Sequence, residues 1–229
     1  MKLSFLSYIN SNFMLINIEK IMDSELFVKI DNIINNINIQ SVLSSRRLLL
    51  NPFFEFIQKK INSKKEISLN FICTHNSRRS HLCQIWTQVI ASHFKIDNIN
   101  CYSGGTTPTR VSPNVLKNLQ DCGFLIETES KNYNPIYNIK FSSTQKSIKC
   151  FSKTYDHKPN PINKFTAIMN CTSADKQCPF ISGAEARFPL PYGDPKIYDN
   201  TAFQQKQYMK TSIEIATEIY YVFSMIKLF

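Results

Sequence analysis

From Ile67 onward, short apolar runs alternate with amphipathic stretches of helical length, and that order confines the chain to a parallel sheet with helices packed on its faces. Ile67 to Ile72 reads as a first strand. Ser80 to His93 reads as a helix burying Leu82, Ile85, Trp86, Val89 and Ile90. Asn100 to Ser103 is a second strand, and Ser112 caps a helix that has Pro113 in its first turn and Gly123 at its end. Phe165 to Asn170 is a further buried strand. The last helix runs from Phe203 to Phe223, with Met209, Ile213, Ala216, Tyr220 and Phe223 on its apolar face. Between Lys131 and Pro161 the pattern is irregular and assigns no element. The expectation is an α/β domain over 67–229, an open parallel sheet with helices on both faces.

Residues 1–66 differ. Apolar residues recur at helical spacing in Leu26, Ile30, Ile33 and Ile34, then in Phe53, Phe54, Ile57 and Ile61, so this stretch reads as a small helical N-terminal extension. Pro52 is expected in a first helical turn, because farther inside it would remove a hydrogen bond and clash with the preceding turn. Met14 and Met22 are alternative starts, which would make residues 1–22 an unstructured leader.

Composition narrows the function. No run reaches the ~18 apolar residues of a membrane-spanning helix, and Asn10, Ser11 and Asn12 interrupt the apolar N-terminus before any cleavage site of a secretory signal. Seven scattered cysteines, an odd number, fit a reduced, cytoplasmic protein better than a disulfide framework. The formal charge of +10 suits anionic partners, yet no basic cluster or ribonucleoprotein motif points to nucleic acid. The four histidines are dispersed and no Cys-x2-Cys pair occurs, so neither a metal nor an organic cofactor is expected.

The chemistry concentrates in Cys73-Thr74-His75-Asn76-Ser77-Arg78-Arg79-Ser80, where a strand turns into a helix. In such a turn the backbone amides of residues 74 to 79 and the helix's first residues converge on one point and attract an oxyanion. The positive end of the helix and the Arg79 guanidinium activate Cys73 as a nucleophile. Arg79 offers parallel donors to two oxygens of phosphate or arsenate, which Lys would not match. Ser80 can donate a hydrogen bond to the sulfur, and Asn76 tolerates a left-handed conformation and can brace the loop through its side chain.

This segment resembles the active-site loop of the low-molecular-weight protein tyrosine phosphatases and of the thioredoxin-coupled arsenate reductases that share their fold, and the resemblance extends over residues 67 to 225. It implies that Ser103 in Ser103-Gly104-Gly105-Thr106 braces the loop, and that Asp194 of Asp194-Pro195 is the general acid; Asp175 and Asp199 are its rivals. His75 departs from the family, which usually has Gly there, so it costs some loop geometry or contacts ligand directly.

Two chemistries remain open. Cys171-Thr172-Ser173-Ala174-Asp175-Lys176-Gln177-Cys178-Pro179 resembles the redox segment of the reductases, and loops after parallel strands share one edge, so Cys171 should face Cys73. The implied relay has Cys73 form an arsenate adduct, Cys171 attack its sulfur to release arsenite, and Cys178 attack Cys171, leaving a disulfide for thioredoxin or another dithiol. Seven helical steps from Cys171 to Cys178 span about 10 Å, beyond the ~7 Å disulfide limit, so any helix between them must unwind. Lys196 after Asp194-Pro195, where the tyrosine phosphatases carry Tyr, also favours reduction. Against it, the potassium-binding Thr-Ser-Asp element of the reductases has no clear counterpart. The alternatives are hydrolysis of phosphotyrosine through a Cys73 phosphoenzyme, or a non-catalytic oxyanion-binding module.

Overall fold

The computed structural model describes residues 26–177 and 180–228. The expected leader, residues 1–22, lies outside them. Helix α1 (Val28–Asn35) and helix α2 (Ser44–Asn62) lead into strand β1 (Ile67–Cys73), helix α3 (Arg79–His93) and strand β2 (Ile99–Gly105). Helix α4 (Pro113–Asp121) is followed by β3 (Leu125–Thr128), β4 (Tyr137–Lys140) and β5 (Ile148–Cys150). The chain continues through β6 (Phe165–Met169), α5 (Thr172–Gln177) and β7 (Ala184–Pro189) to α6 (Gln204–Ser224).

The main sheet is wholly parallel in the order β2-β1-β6-β7, so the fold class is the open α/β sheet expected. Side chains alternate between faces along each strand. Ile67, Leu69 and Phe71 of β1 and Ile168 of β6 join the larger core under α2, α3, α4 and α6. Ile72 of β1 and Phe165, Ala167 and Met169 of β6 point the other way, into a smaller cluster closed by Ala174 of α5 and by Ile181.

Leu50, Phe53 and Ile57 of α2 are fully buried in the larger core. Burying three such side chains contributes on the order of 5–9 kcal/mol before entropic costs, comparable to a domain's net stability. The extension is therefore packed into the same core as the sheet. Pro52 lies inside α2 and not in its first turn. Its ring is exposed, as is Leu48 four residues before, so the carbonyl that loses its helical partner is on the wet side, where water can satisfy it.

The stretch without a sequence assignment, 131–161, contributes β4 and β5, which pair with β3 in a separate antiparallel sheet. Gly123 closes α4 with φ +101°, as its position suggested. Ser112 occupies the N-cap of α4, but its side chain makes no capping bond to that helix; its amide donates to the Ser77 carbonyl at 3.0 Å. Among the described residues no helix is long and apolar enough to cross a membrane.

Candidate active site

Cys73 ends β1, and residues 74–78 turn into α3 at the carboxyl edge of the sheet. The carbonyls of Cys73 to Ser77 are drawn outward, while that of Arg78 accepts from the Leu82 amide and starts the helix. That of Cys73 accepts from the Thr106 amide (3.3 Å), Thr74 from the Thr107 amide (2.8 Å), His75 from Ser152 Oγ (2.9 Å) and the Thr109 amide, and Ser77 from Ser112. The Asn76 carbonyl meets His81 Nε2 at 2.8 Å. With the carbonyls turned out, the amides of 74–79 face inward, and among the described residues none donates to a protein acceptor.

Asn76 takes the left-handed conformation expected of it, φ +43°. Its Oδ1 accepts from the Lys153 amide (2.9 Å), while its Nδ2 donates to Ser80 Oγ (2.9 Å). Because Asn76 supplies a proton to that oxygen, the Ser80 hydroxyl hydrogen is free for Cys73 Sγ, 3.1 Å away. Gly105 must lack a side chain, since a Cβ there would sit 2.8 Å from both the Asn76 nitrogen and the Thr74 oxygen.

Ser103 reaches the loop through a residue that sequence reasoning missed. His81 is fully buried, and its Nδ1 lies 3.2 Å from Ser103 Oγ and 3.2 Å from Cys150 Sγ. A carbonyl can only accept, so Nε2 carries the proton toward Asn76 and Nδ1 is the acceptor for Ser103 or Cys150. Burial, reinforced by the Lys153 charge and opposed by the Asn76 hydrogen bond, pushes the His81 pKa down to about 3.

That shift has a measurable consequence. A neutral buried imidazole whose unfolded pKa is about 6.5 stabilises the fold fully above that pH, and the contribution is lost as pH falls toward 3, because only the unfolded chain takes up the proton. Between pH 6.5 and 4 the loss is on the order of 3 kcal/mol. His81→Gln keeps a donor for Asn76 and an acceptor for Ser103 but does not titrate. Urea unfolding across this range should therefore lose that part of its pH slope in the variant; an unchanged slope would refute the assignment.

The other expected site residues are distributed as follows. Arg79 donates from one terminal nitrogen to Asp194 Oδ2 (2.8 Å) and from the other to the Tyr192 carbonyl (3.1 Å), while its Nε is buried with no protein acceptor. Asp194 Oδ1 accepts from the Lys196 amide (3.0 Å), starting a short 3-10 turn at Pro195–Tyr198. The Arg78 side chain points away from the turn, to Tyr208 and Asp199, leaving only its backbone amide to serve an oxyanion. Asp199 is thus tied to Arg78 and Tyr208, and Asp175 to Arg187, which leaves Asp194 as the carboxylate of the three that touches Arg79. Exposed His75 donates from Nδ1 to the Thr107 carbonyl (3.1 Å), which leaves Nε2 at the rim.

Thr74 turns toward the next strand, with Oγ1 2.9 Å from Ser173 Oγ and 3.4 Å from Cys171 Sγ. Cys73 and Cys171 are both buried in the smaller core cluster, at the ends of neighbouring parallel strands. Burial would raise the Cys171 pKa, but hydrogen bonds from Ser173, Thr74 and the Ala174 amide, with the Arg79 charge, bring it below its ordinary value. Cys178 lies outside the described residues. Among the described residues no group of three or more His, Cys, Asp or Glu is placed to share a metal ion.

The sheet order and the site define an α/β protein with a Cys-x5-Arg-Ser loop at the carboxyl edge of its first strand. No family model matches the chain, and no curated protein matches it. Among solved structures it is similar to a low-molecular-weight protein tyrosine phosphatase from T. tengcongensis, with 15% identity, 70% of this chain and 100% of that one covered, and a TM-score of 0.47. It is also similar to an arsenate reductase from Archaeoglobus fulgidus (16% identity, 68% and 98% covered, TM-score 0.44). A third is the arginine phosphatase YwlE from Bacillus subtilis (13% identity, 69% and 94% covered, TM-score 0.46).

Proposed function

We propose that the protein is a cysteine-nucleophile enzyme acting on a tetrahedral oxyanion, and that its reaction is reduction of arsenate to arsenite through Cys73 and Cys171. The observation that carries this reading is the placement of Cys171 against the loop itself, with Thr74 Oγ1 3.4 Å from its sulfur. The inward amides of 74–79 and the unpaired Nε of Arg79 would hold the oxygens. Cys73 displaces one arsenate oxygen, which leaves as water with a proton from Asp194. Cys171 then attacks the Cys73 sulfur; the sulfur–arsenic bond breaks, its electron pair goes to arsenic, and arsenite departs. Attack by Cys178 on Cys171 frees Cys73 and leaves a disulfide for thioredoxin or another dithiol, in a reducing cytoplasmic setting.

Transfer to Cys178 requires α5 to open, since Thr172–Gln177 is helical between the two cysteines. A six-residue helix is marginal on its own, and its ties include the two bonds from Arg187 to Asp175.

A second reading, phosphomonoester hydrolysis, is supported by the contact of Asp194 with Arg79, which keeps a carboxyl beside the loop, within reach of an ester oxygen that needs a proton. Arsenate-dependent NADPH oxidation with thioredoxin and thioredoxin reductase, run beside aryl phosphate hydrolysis, separates the two. Arsenate turnover that disappears in Cys171→Ser supports the relay. Aryl phosphate turnover indifferent to Cys171, without arsenate reduction, makes the protein a phosphatase. Oxyanion binding with neither activity would leave a binding module.

A further inference from the structure

We infer that Arg46, on helix α2 of the N-terminal extension, is a positioning residue for Asp194: it clamps the Pro191–Tyr192 backbone so that the acid swings from a fixed base. The inference rests on the reading of Asp194 as the acid.

All three guanidinium nitrogens of Arg46 are engaged. Nε and one terminal nitrogen form a fork on Glu218 of α6, at 2.6 and 2.7 Å, and the other terminal nitrogen donates to the Pro191 carbonyl at 3.1 Å. The guanidinium also stands 5.0 Å from the centre of the Tyr192 ring. Glu218 is 4% exposed and Arg46 half-buried, and a largely desolvated pair of this kind is a poor source of stability, because apolar residues of the same volume often do as well. Its geometric product is the grip on Pro191. One residue later, Arg79 of the loop donates to the Tyr192 carbonyl. Two consecutive carbonyls are therefore held by two arginines, one from the extension and one from the oxyanion loop.

The inner edge of the same segment is fastened to the end of β6, through Leu190 N to the Met169 carbonyl (2.9 Å) and Tyr192 N to the Asn170 carbonyl (3.2 Å). These ties stop at Tyr192. Gly193 is exposed, and a Cβ there would meet nothing within 4 Å, so packing does not hold this position. Asp194 follows, bound to Arg79. An oxyanion competes for Arg79, and the carboxyl must then move to the leaving oxygen; rotation about Gly193 supplies the movement and the clamp fixes its origin.

The test uses the full chain and two aryl phosphates, phenyl phosphate, whose leaving oxygen needs a proton, and 2,4-dinitrophenyl phosphate, whose oxygen does not. Arg46→Lys keeps the ion pair with Glu218 but cannot fork and also reach Pro191. Arg46→Met with Glu218→Leu removes both charges without leaving one unpaired. Both are expected to lose about 10- to 100-fold on phenyl phosphate and to stay within about twofold on the dinitrophenyl ester, with phosphate inhibition unchanged. Equal loss on both esters, or none, overturns the clamp. Asp194→Asn is run alongside. If it shows the leaving-group signature and the Arg46 variants do not, the clamp alone fails. If it shows none, the acid reading falls and the clamp with it; if the parent chain hydrolyses neither ester, arsenate turnover is read instead, where Asp194→Asn and both Arg46 variants are expected to fall together and Arg46 variants at the parental rate overturn the clamp.

Discussion

Replacing Cys73 with Ser is expected to abolish turnover of arsenate and of aryl phosphate by ~10^4-fold or more, while phosphate binding stays within about twofold. The two halves come from different parts of the loop. Binding is built from amides whose carbonyls are tied to Thr106, Thr107, Thr109, Ser112, Ser152 and His81, and none of those ties passes through the Cys73 side chain. Attack requires a sulfur at the end of β1, beside the hydroxyl that Asn76 and Ser80 align on it. Turnover and inhibition by inorganic phosphate, measured on one preparation, check both. Residual activity within tenfold of the parent would remove Cys73 from the mechanism, and loss of phosphate binding would mean that the thiol holds the loop open.

Arg79→Lys is expected to cost on the order of 10^3-fold in kcat, more than it costs in oxyanion binding. Without ligand one terminal nitrogen of Arg79 holds the Tyr192 carbonyl, the other holds Asp194 and Nε has no protein acceptor; an oxyanion that draws the second terminal nitrogen from Asp194 is met by it and by Nε while the first keeps Tyr192, so three separated donors are needed. An ammonium is a single point and can satisfy only part of that set. Because the same guanidinium registers the acid segment against the loop, the substitution should also weaken discrimination between esters of good and poor leaving groups. Steady-state kinetics on both esters read this directly. A purely KM effect would show that Arg79 binds ground state and transition state alike.

The parts legible in the sequence are those that strongly periodic, buried segments encode. β1, α3, β2, β6 and α6 each carry an apolar pattern of the right length, and the Cys-x5-Arg-Ser spacing falls where one of them turns into the next. β3 to β5 were not legible because they are only three or four residues long and β3 is largely exposed, which leaves no apolar alternation to detect. Pro52 misled because the rule against internal proline assumes that the freed carbonyl goes unsatisfied, and here that side of α2 faces solvent. His81 reads in sequence as one more helix residue; only β2, approaching with Ser103, and β5, with Cys150, reveal what its two nitrogens do. The signal available was its place two residues after Arg79, in the first turn of a helix otherwise rich in apolar residues. Arg46 and Glu218 are 172 residues apart and lie on elements that only the folded core brings together.

In the proposed relay two thiols at the ends of neighbouring strands act in sequence on one oxyanion. The relay's most direct measurement is a single turnover of the reduced Cys178→Ser protein with arsenate and no other reductant, quenched by alkylation and mapped by peptide mass spectrometry. One equivalent of arsenite and a disulfide joining Cys73 to Cys171 are expected. Arsenate consumed without that disulfide, or both cysteines recovered alkylated with no arsenite formed, would contradict it.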